Sequence, residues 1–286
     1  MSEGTSIGAG VHASSTGQMG TEAAWLDVHF EACRQEYEAM LRAVGLQPGW
    51  RVLDAGCGSG SYLPLIAEAV GPVGAIAAFD LAPDNVATVE RRVAGWEYAT
   101  PVEARAGSMD SLPYADDAFD AVWCAATSQY LTDDELAATL AEFRRVVRPG
   151  GLVALKDFDS ALWRFLPAPA GIFTHLVEAM AQGGAVQAAG CLRVPSLGAW
   201  LRRAGLGAVW SRTTLVERNA PLGPAERQHW GDLLAAWPSI ASGYDLPAAD
   251  RALWARLTDP AERERLLDDP DFSCSEGHVL AVGIVP

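Results

Sequence analysis

The densest chemical signal in the chain is the run Val52-Leu53-Asp54-Ala55-Gly56-Cys57-Gly58-Ser59-Gly60. An apolar segment leads into alternating glycines and then into a helical pattern from Ser61 to Val70. Glycines let the backbone approach a ligand closely and take positive φ. A helix start presents unpaired N–H groups to an anionic or polar ligand. Two acids frame the loop. Asp54 ends the first apolar run, and Asp80 ends the next one, Gly74–Asp80, where a carboxylate can accept both hydroxyls of a ribose. The pattern points to a nucleoside-bearing ligand. The dinucleotide fingerprint has a glycine where this chain has Ser61, which counts against a pyrophosphate seat. Asp80 has a purely structural alternative, capping a helix that starts at Ala82.

These residues need a scaffold, and the hydrophobic pattern supplies one. Leu26, Phe30, Cys33, Tyr37, Met40, Leu41 and Val44 recur at steps of three and four, which predicts one helix from about Glu22 to Val44. Strands are expected over Trp50–Ala55, Gly74–Asp80, Val102–Gly107, Phe119–Ala126 and Leu152–Asp157. Helices are expected between them, over Ser61–Val70, Ala82–Ala94 and after Thr132, which with Glu135 makes a capping box. Strands alternating with helices mean a parallel sheet covered on both faces, a doubly wound α/β fold. Further on, Ile172–Ala181 and Ser196–Gly205 read as helices, and Ala208–Glu217 and His278–Val285 as the last two strands. The roughly 60 residues between those strands read as a helical insertion that shapes a pocket.

The chain has 286 residues, with 21 basic and 36 acidic side chains and a net charge of −15. That balance argues against a nucleic-acid partner and against an anionic membrane surface. No apolar stretch is long enough to span a bilayer. The five cysteines, Cys33, Cys57, Cys124, Cys191 and Cys274, form no CxxC pair and read as reduced thiols, which suggests the cytoplasm. The first 20 residues, rich in Gly, Ser and Thr, read as a mobile tail. No metal-ligand spacing or nucleophile elbow is present.

From about residue 50 to 157 the chain resembles the class I S-adenosylmethionine-dependent methyltransferases. The likeness is greatest to the group that includes the ubiquinone/menaquinone C-methyltransferases (methyltransferase domain type 11). Val52–Gly60, Phe79-Asp80-Leu81, Gly107–Pro113 with Phe119-Asp120, and Arg144–Gly151 carry it, in the family's order. The resemblance implies a seven-stranded sheet of order 3-2-1-4-5-7-6 with strand 7 antiparallel. It also implies a division into a tail (1–20), a lid helix (21–49), an S-adenosylmethionine-binding core (50–160) and cap elements with the last two strands (161–286). By the same resemblance Asp54, Gly56, Gly58 and Gly60 hold the methionine end of S-adenosyl-L-methionine. Asp80 holds its ribose, Leu81, Ser108 and Met109 lie at the adenine, and Cys124 and Ala125 line the methionine portion. Tyr37 contacts the cofactor from the lid. Many relatives carry an acid where this chain has Ser108, so Asp110 or a backbone carbonyl would serve the adenine amino group instead. Gln129 and Tyr130 stand where several relatives have two histidines.

A sulfonium methyl is already activated, so the protein's main task is to hold donor and acceptor in line and dry. A base is needed only if the acceptor must lose a proton. The candidates are His29, His175, Asp157, Asp159 and Glu276, none of which the sequence singles out as catalytic. Trp163, Trp200, Trp210, Trp230, Trp237 and Trp254 crowd the C-terminal part and either wall an apolar acceptor pocket or fill a core. The expected activity is methyl transfer from S-adenosylmethionine, leaving S-adenosyl-L-homocysteine, to oxygen or carbon of a small organic acceptor, by a monomer or homodimer. The alternatives are a non-catalytic S-adenosylmethionine-binding protein and an NAD-dependent oxidoreductase.

Overall fold

In the computed structural model, which describes residues 13–18 and 20–286, the apolar runs become a seven-stranded sheet. β1 (Arg51–Ala55), β2 (Ala75–Asp80), β3 (Val102–Ala106) and β4 (Phe119–Ala125) are followed by β5 (Val147–Leu166), β6 (Gly207–Asn219) and β7 (Ser273–Ile284). Their order is β3-β2-β1-β4-β5-β7-β6, with β7 antiparallel to both neighbours. This is the order and sense expected from the sequence.

Strand alternation sorts the side chains onto two faces. Val52, Ile76, Ala121, Trp123 and Ala154 pack on one face under α1 (Ala23–Ala32), α2 (Arg34–Val44) and α3 (Leu63–Val70). Leu53, Ala77, Val122, Cys124 and Leu155 pack on the other, under α5 (Asp133–Val146) and later α8 (Leu197–Arg203). α4 (Pro83–Ala94) connects β2 to β3, and the Thr132–Glu135 capping box opens α5.

The expected helix from Glu22 to Val44 is two helices, α1 and α2, because Cys33 leaves the helical region at φ −113° and ψ 9°. The apolar stripe runs through this break, so its periodicity did not reveal it. α1 is tied to the glycine loop through Asp27. Ser59 and Ser61 donate to Asp27 at 2.8 and 3.0 Å, and Arg92 of α4 forms an ion pair with it. Ser61, the residue that breaks the dinucleotide pattern, thus helps to anchor α1. Of the expected tail, residues 1–12 and 19 lie outside the described residues. Ser15 bonds Asp84 at the start of α4, through its backbone N–H at 3.0 Å.

β5 does not stop at Asp157. It continues to Leu166 beside β7, with a bulge between Asp159 and Arg164. The polar run Asp157-Phe158-Asp159-Ser160 hides this extension, whose buried Trp163 and Phe165 start a separate core. That core is filled by α6 (Ile172–Gln182), α7 (Val186–Arg193), α9 (Pro224–Ala241), α10 (Ala248–Arg256) and α11 (Pro260–Leu267). α7 escapes sequence reading because Gly190 sits inside it. There the glycine is a packing requirement: a Cβ would fall 2.0 Å from the Gln129 carbonyl oxygen.

Two outcomes follow. Gly190→Ala should destabilise by ~1–3 kcal/mol through overpacking, despite the better helix propensity of alanine; a lowered denaturant midpoint at constant m-value checks it. Asp27→Ala should cost about 1–2 kcal/mol, since its ion pair with Arg92 is about two-fifths exposed while its bond to buried Ser59 is shielded, and should speed amide exchange selectively in α1.

Candidate active site

At the carboxyl ends of β1 and β2 the glycine loop is held by β2. Gly56 N–H and Cys57 N–H both donate to the Phe79 carbonyl, at 2.7 and 3.1 Å. Gly56 has φ 74° and Gly58 φ 53°. A Cβ on Gly56 would lie 2.3 Å from the Thr127 hydroxyl, and one on Gly58 would lie 2.7 Å from Leu26 of α1. Substitution at either position is therefore strained by both conformation and space.

Asp80 acts as a hinge pin. Its Oδ2 accepts from Gly58 N–H at 2.8 Å, and its Oδ1 accepts from Ala82 N–H at 2.9 Å and from the Asn85 amide at 3.3 Å. The carboxylate steadies the start of α4, as the structural alternative has it, and also lines a cavity beside the loop. Burial raises its pKa, against the pull of these hydrogen bonds. Asp54 lies 2% exposed beneath the loop with Oδ2 unpartnered. Burial, and then the charge of Asp80, push its pKa up to about 8.

The cavity has a volume of about 300 Å³. Of the residues expected at a cofactor, Tyr37, Gly56, Gly58, Asp80, Leu81, Ser108, Met109 and Ala125 line it, and Asp110, Gln129 and Tyr130 join them. Asp54, Gly60 and Cys124 do not. Gly60 is covered by Leu63 and Val89, and alternation along β4 turns Cys124 to the opposite sheet face. Sequence reading missed the contribution of Ser14, Thr16, Gln18 and Gly20, which stand at the cavity rather than away from it.

The far lobe of the cavity is apolar, with walls from Phe158, Trp163, Val177, Met180, Leu233 and Trp237. Trp163 and Trp237 thus both pack in the C-terminal core and face the cavity, whereas Trp230 and Trp254 belong to that core alone. Trp200 and Trp210 lie elsewhere.

Between the two lobes sits a buried polar cluster. His29 of α1 and His278 of β7 approach the Tyr37 hydroxyl with Nε2 at 2.9 and 3.3 Å. Glu276 pairs with His229 of α9 at 2.7 Å and lies 3.4 Å from His29 Nε2. The imidazoles of His29 and His229 stack at 4.5 Å. Burial, with the neighbouring His229, lowers the His29 pKa to about 4, and burial beside Lys156 lowers that of His278 to about 3. Although burial opposes it, His229 and its fellow imidazoles hold the Glu276 carboxyl well below its usual range. One ligand atom from each of His29, Cys33, Glu276 and His278 falls within 4.8 Å of the others, with the Tyr37 hydroxyl between the two imidazoles. Lys156 of β5 completes the cluster, its Nζ 3.5 Å from the centroid of the Tyr37 ring.

Of the candidate bases, His29 lines the cavity and Glu276 backs it. His175 does not reach it and pairs instead with Asp250 at 2.6 Å. Asp157 turns to the other sheet face, where Ser128 and the Gln129 N–H donate to it, and Asp159 accepts from Ala161 N–H. Lys156 was the residue that sequence reading passed over, although a lone lysine in an apolar strand was a visible signal.

Residues 52–151 match a family described as a methyltransferase domain. The ubiquinone/menaquinone biosynthesis C-methyltransferase of Cupriavidus taiwanensis is 32% identical over 46% of this chain and 53% of its own length. The ubiquinone biosynthesis O-methyltransferase of Xylella fastidiosa is 32% identical over 55% of this chain and 61% of its own. The chain thus spans a little over half the length of these curated relatives. Among solved structures, a Haemonchus contortus phosphoethanolamine N-methyltransferase complex superposes with a TM-score of 0.56 at 14% identity, over 92% of this chain and 57% of the other, a likeness of fold. No described helix is long and apolar enough to cross a membrane. Over residues 52–151, which hold the glycine loop and Asp80, the chain is thus similar to methyltransferase-domain proteins.

Proposed function

We propose that the protein transfers a methyl group from S-adenosylmethionine to an oxygen or carbon of a small, apolar, aromatic acceptor by in-line displacement. The observation that carries this reading is a single cavity with the Asp80-pinned glycine loop at one end and the Trp163–Trp237 lobe at the other. When bound, S-adenosylmethionine supplies an activated sulfonium methyl. The residues fit it. Asp80 and Asn85 offer polar atoms for a ribose, and Leu81, Ser108, Met109 and Asp110 offer an edge for adenine. The unpartnered Oδ2 of Asp54 suits a positively charged amino group at the loop. Ala125 and Tyr37 flank the junction where methyl donor and acceptor would meet, and the aromatic walls of the far lobe exclude water from it.

The readings separate by experiment. Calorimetry should show binding of S-adenosylmethionine and its demethylated product but not of NAD, and selective NAD binding would sink the proposal. A labelled methyl donor incubated with a panel of phenols, enols and quinols should deliver label to one of them, read by mass spectrometry. Tight donor binding without any transfer would favour a binding protein.

Asp54 adds a pH dependence. With a pKa near 8 it is mostly protonated in the free protein at about pH 7. A cation arriving beside it favours the carboxylate, so binding of S-adenosylmethionine should release part of a proton. The binding enthalpy should then vary with the ionisation heat of the buffer at about pH 7. This dependence should fade above about pH 9 and disappear in Asp54→Asn.

A further inference from the structure

Lys156 is the chain's one lysine among 21 basic side chains, and it is buried, at 2% exposure. Lysines are otherwise almost never buried unless paired. Its Nζ has no hydrogen bond or ion pair with any described residue and lies over the face of the Tyr37 ring. An aromatic face offsets only part of the cost of burying an ammonium. The nearby carboxylates are engaged elsewhere. Glu276 bonds His229 through Oε1 and keeps Oε2, which makes no hydrogen bond, 3.4 and 3.6 Å from His29 and His278, and Asp157 points through the sheet to Ser128 and Gln129. The residue also stands in the right place. It is paired in register with Ala125 of β4 at the junction of the two lobes, and it lines the cavity.

We propose that Lys156 is the acceptor's anchor: it takes the proton of an acidic hydroxyl, on a phenol or an enol, and holds the resulting oxyanion in the cavity for methylation. This rests on the methyltransferase reading above and narrows its substrate class. The neutral amine of Lys156 accepts the O–H proton and becomes an ammonium ion paired with the oxyanion. The oxygen, or a carbon conjugated with it, then bonds the donor methyl as the C–S bond breaks and its electron pair stays on sulfur. After the product leaves, the ammonium returns its proton to water. Burial pushes the Lys156 pKa down to about 8, so both forms of the amine are accessible near neutral pH. The groups facing it are Tyr37 and Cys33 from the first helical pair and Glu276 and His278 from β7, while Asp157, next on its own strand, acts on it from the opposite face. His29, at about 4 and with Nε2 already on Tyr37, is too weak a base for a phenol.

The probe is 4-nitrophenol, whose ionised form absorbs visible light, added to the protein saturated with S-adenosylhomocysteine. The acid constant of the bound phenol should rise at least roughly tenfold over the free phenol. Lys156→Met should abolish that shift and weaken binding of the ionised probe by roughly a hundredfold, while still admitting nitrobenzene. An unshifted titration with wild-type protein, or an equal shift in the variant, overturns the proposal. If the variant does not melt cooperatively, the wild type still decides. Lysine-selective ¹⁵N labelling gives one side-chain resonance, which should move toward the ammonium form as nitrophenol is added, and a resonance that stays fixed overturns the proposal. Failure to bind S-adenosylhomocysteine would instead sink the methyltransferase reading itself.

Discussion

The site depends on one carboxylate reaching across two strands. Asp80 takes the Gly58 N–H with one oxygen and the Ala82 N–H with the other, so loop, strand end and helix start become one unit. Without that bridge, a loop with positive φ at Gly56, Gly58 and Gly60 would have several accessible shapes. With it, the backbone is fixed before any ligand arrives, and the ordering cost falls on folding rather than on binding. Hydrogen bonds to a charged acceptor are stronger than neutral ones, which suits a joint that must hold in the wall of a cavity.

The rest of the cavity is built by separate devices on the same sheet edge. α1 is pinned below by Asp27 to Ser59 and Ser61, and lies against α9 through the stacked pair His29 and His229. β5 and β7 run on beyond the ends of the parallel strands to carry Phe158, Trp163 and Glu276. The two lobes therefore differ in dielectric character. The glycine-loop end is rich in backbone donors and acids, and the other end is mainly aromatic and aliphatic, with Asp232 and Lys156 as charged groups in its lining. Electrostatic interactions at that end act in an apolar setting, where each is worth more than in water.

The sequence made the glycine-loop half of the cavity legible because each of its pieces is local. A strand, glycines and a terminal acid sit within nine residues, and Asp80 ends the next strand. The sheet order followed from the regular alternation of elements and from the family resemblance. The polar cluster beside the cavity was not legible, because it comes from residues far apart in the chain: His29, Tyr37, Lys156, His229, Glu276 and His278. No local period marks such a set. The same limit explains His175, which sat on an expected cap helix but pairs with Asp250 away from the cavity. It also explains the break at Cys33, where the apolar stripe continues across a change in backbone direction.

α1 touches both lobes: Leu26 lies over Gly58, while Trp25 and His29 face α9. A partition common to two compartments cannot swing aside for one occupant alone. Displacing it would open the glycine-loop end and the aromatic end of the cavity together.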